Sequence, residues 1–208
     1  LSLNYFSKFN MTKIIGLTGG IGSGKTTIAN YFKSFGIPVY IADDEARKIM
    51  QSVEIISAIK NVFGDEVFEN EKLNREELAK IVFNNPEKLE KLNNIVHPAV
   101  KKHFEQWLLQ HTTAPYVIYE AAILFESGSY KNCDLIITVT APIESRIQRV
   151  VERDKTTREL VLKRINAQWT DEQRISKSDF IIENTSMETT KLEVVKILKI
   201  LKIRQNVV

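Results

Sequence analysis

A glycine-rich stretch near the start of the chain carries residue types that can bind phosphate. Residues 19–26 read GGIGSGKT, which follows the pattern G-x-x-x-x-G-K-[ST]. Glycines let successive backbone N–H groups turn toward one anion, and a helix that begins near Lys25 adds the positive end of its dipole. The Lys25 ammonium can reach the β- and γ-phosphates of a nucleotide, and the Thr26 hydroxyl can coordinate Mg²⁺. The predicted nucleotide site, a P-loop, consists of Gly19, Gly20, Ile21, Gly22, Ser23, Gly24, Lys25, Thr26 and Thr27.

Short apolar runs give this loop its structural setting. They predict strands that are apolar on both faces, as in a parallel sheet covered by helices, at 13–18, 38–41, 116–119, 135–139 and 179–182. The loop falls between the first strand and a predicted helix at 25–35, a context that disfavours a chance glycine-rich turn. We therefore predict an α/β fold: a three-layer P-loop NTPase fold with a five-stranded parallel sheet. Two helical segments accompany the sheet, and their similarity to those of nucleoside-monophosphate kinases implies a helical acceptor-binding insertion and a helical lid.

Helical segments interrupt the strand pattern in two places. The insertion carries helical patterns, with Asn74 and Pro98 at positions that start helices, at 43–60, 74–83, 86–94 and 97–110. A second helical segment at 142–177 is the predicted lid. A C-terminal helix at 187–203 is expected to pack on the sheet through Leu192, Val195, Leu198 and Leu201.

The predicted organisation has three parts. The P-loop core comprises 11–42 and 112–208 and includes the lid, and the acceptor domain comprises 43–111. Residues 1–10 precede Met11, lack the apolar run of a signal peptide, and are expected to be a leader or tag-like extension outside the fold.

Composition narrows the class of partner. A net charge of +3 is too small to indicate nucleic-acid binding. The sequence contains no apolar run of about 18 residues, the length that a membrane span requires. The single cysteine, Cys133, excludes an internal disulfide and fits a reducing cytoplasm. Six arginines crowd one stretch, which favours an anionic ligand: Arg146, Arg149, Arg153, Arg158, Arg164 and Arg174.

The loop alone does not separate kinases from switches or motors. The sequence has neither the Asn-Lys-x-Asp motif of guanine-reading switches nor the serine-glycine-glycine signature of transporter ATPases. The large insertion and the arginine-rich segment are similar to the acceptor domain and lid of nucleoside-monophosphate kinases.

Motifs spread over 11–200 resemble those of the dephospho-CoA kinases. They are GLTGGIGSGKT at 16–26, IADDEAR at 41–47, HP at 97–98, ILFESG at 123–128, APIESRIQR at 141–149, RD at 153–154, Arg164 with Gln168, and SDFIIEN at 178–184. The resemblance implies ATP and Mg²⁺ as cofactors and dephospho-CoA as the acceptor. The γ-phosphate would pass to the ribose 3′-hydroxyl, giving CoA and ADP. We expect a monomer or a weak homo-oligomer.

Two positions depart from the family pattern. Ile41 stands where the family usually has the first of two aspartates, and alignment on Arg47 places Asp43 on the second. Glu120 and Ala122 stand where the family usually has aspartate and proline, so the charge is kept and the local backbone differs.

Asp43 has two interpretations from the residues alone. A carboxylate directly after a strand, on the sheet edge that carries the P-loop, can accept the proton of an attacking hydroxyl. Asp43 and Asp44 also precede a helical pattern, where aspartate is a common cap. The resemblance favours Asp43 as the catalytic base and Asp44 as the cap. Arg47, one turn further on, pairs either with a substrate phosphate or with Asp43.

The lid arginines share one helix face. Arg146, Arg149 and Arg153 occur at i, i+3 and i+7. A charged face is usually only solvated, but the planar fork of arginine matches phosphate oxygens. We expect Arg149 and Arg153 to bind the ATP phosphates, with Arg149 joining Lys25 and Asp43 as a catalytic residue. Arg146 is expected to be exposed, and Arg164 to close the substrate site from the other side of the lid.

Three further residues owe their predicted roles to the resemblance. His97 is a substrate contact or a helix-start residue with one satisfied hydrogen bond. Glu126 either orients the acceptor or water around Mg²⁺, or forms a structural ion pair. Asn184 borders the adenine. Two other functions stay open: another nucleotide or small-molecule kinase, and a nucleotide-dependent switch.

Overall fold

Strand β1 (Lys13–Thr18) is the centre of the sheet, and its last four residues are buried. The computed structural model describes residues 12–83 and 85–205, so the predicted extension at 1–10 lies outside the described residues. β1 pairs in parallel with β5 (Tyr116–Glu120) on one side and β6 (Leu135–Thr140) on the other. β2 (Val39–Ile41) and β7 (Phe180–Glu183) complete the order β2-β5-β1-β6-β7, with every pair parallel. The predicted five-stranded parallel sheet is confirmed.

Helix α1 (Lys25–Ser34) and helix α9 (Met187–Gln205) pack on this sheet and on each other. Ile28 and Phe32 of α1 join Val194 and Leu198 of α9 in the same apolar core. The C-terminal helix was therefore predicted correctly, but the prediction that Leu192 packs on the sheet was wrong. Leu192 is 58% exposed, because α9 turns a different face inward: Val194, Ile197, Leu198 and Leu201.

The predicted lid segment folds into three short helices: α6 (Ile143–Asp154), α7 (Arg158–Asn166) and α8 (Asp171–Ile175). Lys155, with φ of 50°, ends α6, and Thr157 caps α7 through the Leu160 N–H. Thr170 forms a capping box with Gln173 at the start of α8. Capping residues close in sequence thus set where these helices begin and end.

The chain divides into two compact units. Unit 1 contains the sheet, α1 and all elements after residue 110, and unit 2 is Ala42–Gln110, where the sequence predicts the acceptor-binding insertion. Unit 2 comprises α2 (Ala42–Ile49), α3 (Val53–Phe63), a 3₁₀ turn at Asp65–Val67, strands β3 (Phe68–Glu69) and β4 (Lys72–Leu73), α4 (Arg75–Phe83) and α5 (Pro86–Leu109).

Unit 2 corrects the predicted helix boundaries. The single helix expected at 43–60 is two, because Ser52 is extended and its hydroxyl caps α3 at the Ile55 N–H. The short hairpin β3–β4 gave no strand signal, and its turn residues Asn70 and Glu71 have φ of 48° and 63°. Asn74 begins α4 as predicted, accepting from two N–H groups of its first turn.

Helix α5 replaces the two helices predicted at 86–94 and 97–110. Pro98 lies inside it rather than at a helix start. Proline removes one backbone donor, which usually ends or bends a helix. Here the helix continues, because Val96, Val100 and Phe104 on either side of the proline are buried and α5 packs against α2, α3 and α4. In the described residues, no helix combines the length and apolarity needed to cross a bilayer.

Candidate active site

The P-loop connects the carboxyl end of β1 to the start of α1. Gly22 and Gly24 have φ of 79° and 90°, the left-handed region that glycine adopts without strain. Gly24 is the N-cap of α1 and offers no side-chain cap, and the first turn of α1 contains no acidic residue. The N–H groups at this helix start are not taken by a cap, so the geometry suits an anion such as phosphate.

Lys25 and Thr26 meet a buried carboxylate from the neighbouring strand. β1 and β5 are paired so that Leu17 lies beside Glu120. Lys25 Nζ is 3.8 Å from Glu120 Oε1, and Thr26 Oγ1 donates to Glu120 Oε2 at 3.4 Å. Glu120 is only 1% exposed, so its charge acts at close range in a medium of low dielectric. The sequence indicated Glu120 only as the residue that keeps the charge of a family aspartate at the end of a predicted strand; its contacts with Lys25 and Thr26 were not predicted.

These oxygen donors fit a magnesium ion. Mg²⁺ prefers hard oxygen ligands and commonly binds through one or two carboxylates together with nucleotide phosphates. The Thr26 hydroxyl and the Glu120 carboxylate lie within 3.4 Å of each other at the base of the phosphate loop. The chemistry of the donor set therefore suits the ion that accompanies ATP.

Arg149 and Asn184 lie on the carbonyl side of the P-loop. Arg149 donates to the carbonyl oxygens of Gly22 at 3.3 Å and Ser23 at 3.5 Å, and to that of Asn184 at 3.2 Å. Asn184 Nδ2 donates to the Ser23 carbonyl at 2.8 Å, and Asn184 Oδ1 accepts from the Thr190 hydroxyl at 3.1 Å. The structure thus brings two of the predicted nucleotide-binding residues against the loop.

Arg146, expected to be exposed, is buried, with 5% of the residue accessible. Its Nε donates to the Ile21 carbonyl at 2.9 Å, and its Nη1 contacts Asp171 Oδ2 at 3.0 Å. The expectation was wrong because helical spacing groups residues on one face but does not show whether another segment covers it. Here the P-loop covers the part of that face that carries Arg146 and Arg149.

Arg153 and Arg164 lie together on the exposed part of the lid. Arg153 Nε is 2.7 Å from Asp154 Oδ1, and Arg164 Nη1 is 2.8 Å from Asp154 Oδ2. The two guanidinium groups lower the pKa of Asp154, with the Arg153 hydrogen bond as the larger cause. Neither arginine contacts the P-loop through a described hydrogen bond. To bind a phosphate group, each side chain would have to leave Asp154.

Glu126 forms the structural ion pair that was one of its two interpretations. Its Oε1 accepts from Arg174 Nη2 and from the Trp169 N–H, both at 3.0 Å. Arg174 is fully buried, and desolvation lowers its pKa despite the neighbouring carboxylates. Phe125 stacks on Trp169 with ring centroids 5.4 Å apart, so Trp169 packs within unit 1.

The remaining predicted residues belong to unit 2. Asp43 and Asp44 lie in the first turn of α2, which begins at Ala42, so neither is the N-cap; acidic residues there are favoured by the helix dipole. Arg47 pairs with Asp44 at 2.9 Å rather than with Asp43. His97 is half-buried in α5, and desolvation lowers its pKa.

Comparison with protein families gives one match that covers most of the chain. A family model described as dephospho-CoA kinase matches residues 13–189. A protein from Fusobacterium nucleatum named dephospho-CoA kinase is 43% identical over 174 residues, which span 83% of this chain and 90% of the relative. A Bacteroides fragilis protein of the same name is 39% identical over 171 residues, spanning 82% of this chain and 83% of the relative.

Solved structures agree with these relatives. A Thermus thermophilus protein superposes with a TM-score of 0.83 at 35% identity, covering 90% of this chain and 96% of that one. Dephospho-CoA kinase from Campylobacter jejuni gives a TM-score of 0.65 at 30% identity, covering 89% and 95%. Shikimate kinase from Acinetobacter baumannii, at 17% identity and a TM-score of 0.51, shares the fold; 95% of this chain and 97% of that one are covered.

Proposed function

The chain belongs to the dephospho-CoA kinase family, and we propose that it phosphorylates the ribose 3′-hydroxyl of dephospho-CoA with ATP through Lys25, Asp43 and Arg149. The products are CoA and ADP, and the reaction is the last step of CoA biosynthesis. One observation carries the assignment in the structure: the uncapped start of α1 follows a glycine loop and places Lys25 beside a buried carboxylate.

Lys25 and the P-loop are the proposed phosphate site. Phosphoryl transfer asks little covalent chemistry of the protein, and catalysis rests on positioning and charge neutralisation. Lys25 Nζ, 3.8 Å from Glu120 Oε1, is the cation that would contact the β- and γ-phosphates. Thr26, with Glu120 as a second oxygen donor, would hold Mg²⁺, which when bound neutralises charge on the phosphates.

Asp43 is the proposed general base. It is a half-buried carboxylate in the first turn of α2, two residues after β2 ends. Its neighbour Asp44 is already paired with Arg47, whereas a base must keep its carboxylate available for the acceptor hydroxyl. We assign Asp43 the removal of the 3′-hydroxyl proton and Arg47 a contact to a substrate phosphate.

Unit 2 is the proposed acceptor domain, with His97 as a further contact to dephospho-CoA. The lid at 142–177 supplies Arg149 and Arg153 to the ATP phosphates and Arg164 to the substrate, and Asn184 borders the adenine. Glu126 keeps a proposed role toward the acceptor through its second oxygen, since Oε1 is bound to Arg174 and Trp169. A cytoplasmic location and a monomeric or weakly associated state stay predictions from the sequence.

The decisive experiment measures ATP turnover with and without dephospho-CoA and identifies the product as CoA. We expect ADP formation to depend on the acceptor and to match CoA formation mole for mole. A 3′-deoxy acceptor should bind without being phosphorylated. Acceptor-independent ATP hydrolysis would indicate a nucleotide switch, and phosphorylation of a different nucleotide in preference to dephospho-CoA would indicate another kinase.

A further inference from the structure

Three consecutive carbonyl groups of the P-loop accept hydrogen bonds from side chains far along the sequence. The acceptors are Ile21, Gly22 and Ser23, and the donors are Arg146, Arg149 and Asn184. We call these donors the outer brace, because they contact the loop on its carbonyl side. All of these residues belong to unit 1.

The outer brace bears on phosphate binding through the geometry of the peptide bond. In a trans peptide the C=O and the N–H that follows it point in opposite directions, and the described chain has no cis peptide. Donors that hold the carbonyls of Ile21 and Ser23 on one side therefore turn the N–H groups of Gly22 and Gly24 to the other side. Backbone N–H groups aimed in this way are what a P-loop offers to an anion.

Arg146 contacts the loop at Ile21, and Ile21 is bonded at both ends of its backbone. Arg146 Nε bonds the Ile21 carbonyl at 2.9 Å, while the Ile21 N–H donates to Gln168 Oε1, also at 2.9 Å. A Cβ at Gly20 would overlap the Arg146 guanidinium, and one at Gly22 would come within 2.5 Å of the Arg146 carbonyl oxygen. Ile21 is thus held at both its N–H and its C=O, and two loop glycines are required by the closeness of α6.

Behind Arg146 lies a chain of alternating charges. Arg146 contacts Asp171 at 3.0 Å, Asp171 lies 3.6 Å from Arg174, and Arg174 contacts Glu126 at 3.0 Å. Both arginines are buried, at 5% and 0% exposure. Two cations alternate with two anions, so each arginine has a carboxylate partner and the Arg146 guanidinium is fixed in one orientation.

From this geometry we propose that Arg146 is a positioning residue for the nucleoside triphosphate: it sets the P-loop in its phosphate-binding conformation through the Ile21 carbonyl, and Asp171 holds it in place. Arg146 does not touch the reacting atoms. Its effect is to preorganise the loop, so that the free energy of ATP binding is not reduced by the cost of ordering the loop. The inference rests on the proposed function only in that ATP is the ligand of the loop.

The test is calorimetric titration of Arg146→Lys and Arg146→Met with Mg-ATP, with inorganic tripolyphosphate and with dephospho-CoA. Lysine keeps the charge but cannot bond Ile21 and Asp171 with one rigid fork. We expect the Kd for ATP and for tripolyphosphate to rise by roughly tenfold or more, the range of a lost hydrogen bond to a charged group. The Kd for dephospho-CoA should change by less than about twofold. A merely structural role would lower the Tm and leave the ratio of the tripolyphosphate and dephospho-CoA affinities unchanged.

The matched control is Arg158→Ala. Arg158 lies in the same segment and is bonded to Glu144 at 2.6 Å and 2.7 Å, but both side chains are exposed. Surface pairs of this kind contribute little. We expect ATP affinity in this variant to equal that of the wild type. A loss equal to that of Arg146→Lys would mean that the effect is a general response to lost charge, and would overturn the proposal.

A second perturbation reaches the same contact from the loop, and its first arm, in the wild-type background, does not require any Arg146 variant. Gly20→Ala adds a methyl group against the guanidinium, at 2.8 Å from Cζ. It should weaken tripolyphosphate binding in the wild-type background and weaken it less in the Arg146→Lys background, where the side chain can withdraw. Additive effects, or unchanged phosphate affinity in a folded Arg146→Lys protein, would overturn the proposal. Failure of the wild type to bind ATP would instead overturn the proposed function.

Discussion

Replacing Lys25 by methionine should reduce turnover and stability for two different reasons. Methionine keeps most of the stem of the side chain and removes the ammonium. In catalysis this removes a cation from the β- and γ-phosphates, where charge develops as the bond breaks. By analogy with a lost oxyanion donor, kcat should fall about 10²-fold or more.

The structural cost follows from the Lys25–Glu120 pair. The two charges lie 3.8 Å apart, and Glu120 is 1% exposed. Removing one partner of a buried ion pair costs about 3–5 kcal/mol, since the other charge stays buried. The separation is close to the limit for an ion pair, so we expect the lower end, about 3 kcal/mol. For a chain of this size that corresponds to a fall in Tm of roughly 6–12 °C.

The double variant Lys25→Met/Glu120→Gln separates the two effects. Glutamine keeps the shape of Glu120 without its charge, so stability should recover by about 2 kcal/mol or more while turnover stays low. Urea unfolding gives the free energies and a coupled ADP assay gives kcat. If the double variant is no more stable than Lys25→Met, the stability argument is wrong. If folded Lys25→Met turns over at the wild-type rate, Lys25 does not act on the phosphates.

Three other predictions concern the remaining groups. Asp43→Asn should lower kcat by about 10²–10⁴, because asparagine cannot accept the hydroxyl proton, and should change the Tm and the substrate affinities little. The control Asp44→Asn loses only an exposed pair with Arg47 and should leave kcat nearly unchanged. Wild-type turnover in Asp43→Asn would identify the wrong carboxylate. Arg149→Ala should weaken ATP binding more than Arg153→Ala, since Arg149 already contacts the loop and Arg153 is held by Asp154. Calorimetry measures both affinities, and a lost affinity for dephospho-CoA with normal ATP binding would contradict the lid assignment. Burial, assisted by Asp134, raises the pKa of the Cys133 thiol to about 12, so almost no thiolate is present at neutral pH. Iodoacetamide should therefore modify Cys133 only on unfolding, and rapid modification of the native protein would show that the thiol is accessible.

Local patterns were sufficient for much of the fold. The run KIIGLT predicted β1 with its bounds, because a buried parallel strand needs apolar residues on both faces. The other four sheet strands were found to within one residue at each end. The capped start of α4 was also readable, as Asn74 shows, whereas the Ser52 cap that begins α3 was missed. Helix α5 was not, because the rule that proline interrupts a helix is local, whereas α5 is held by packing on either side of Pro98.

For the site, the sequence by itself predicted the phosphate loop, since the spaced glycines, the lysine and the threonine lie in one short segment and their chemistry is local. Tertiary structure decided which distant groups meet this loop. Arg146 reaches Ile21 across 125 residues, and Glu126 meets Arg174 across 48. Helical periodicity placed Arg146 and Arg149 on one face but did not show that the P-loop covers it. A charged side chain is buried only where the folded sheet brings an oppositely charged or polar partner next to it. The spacing of residues within one segment does not contain that information.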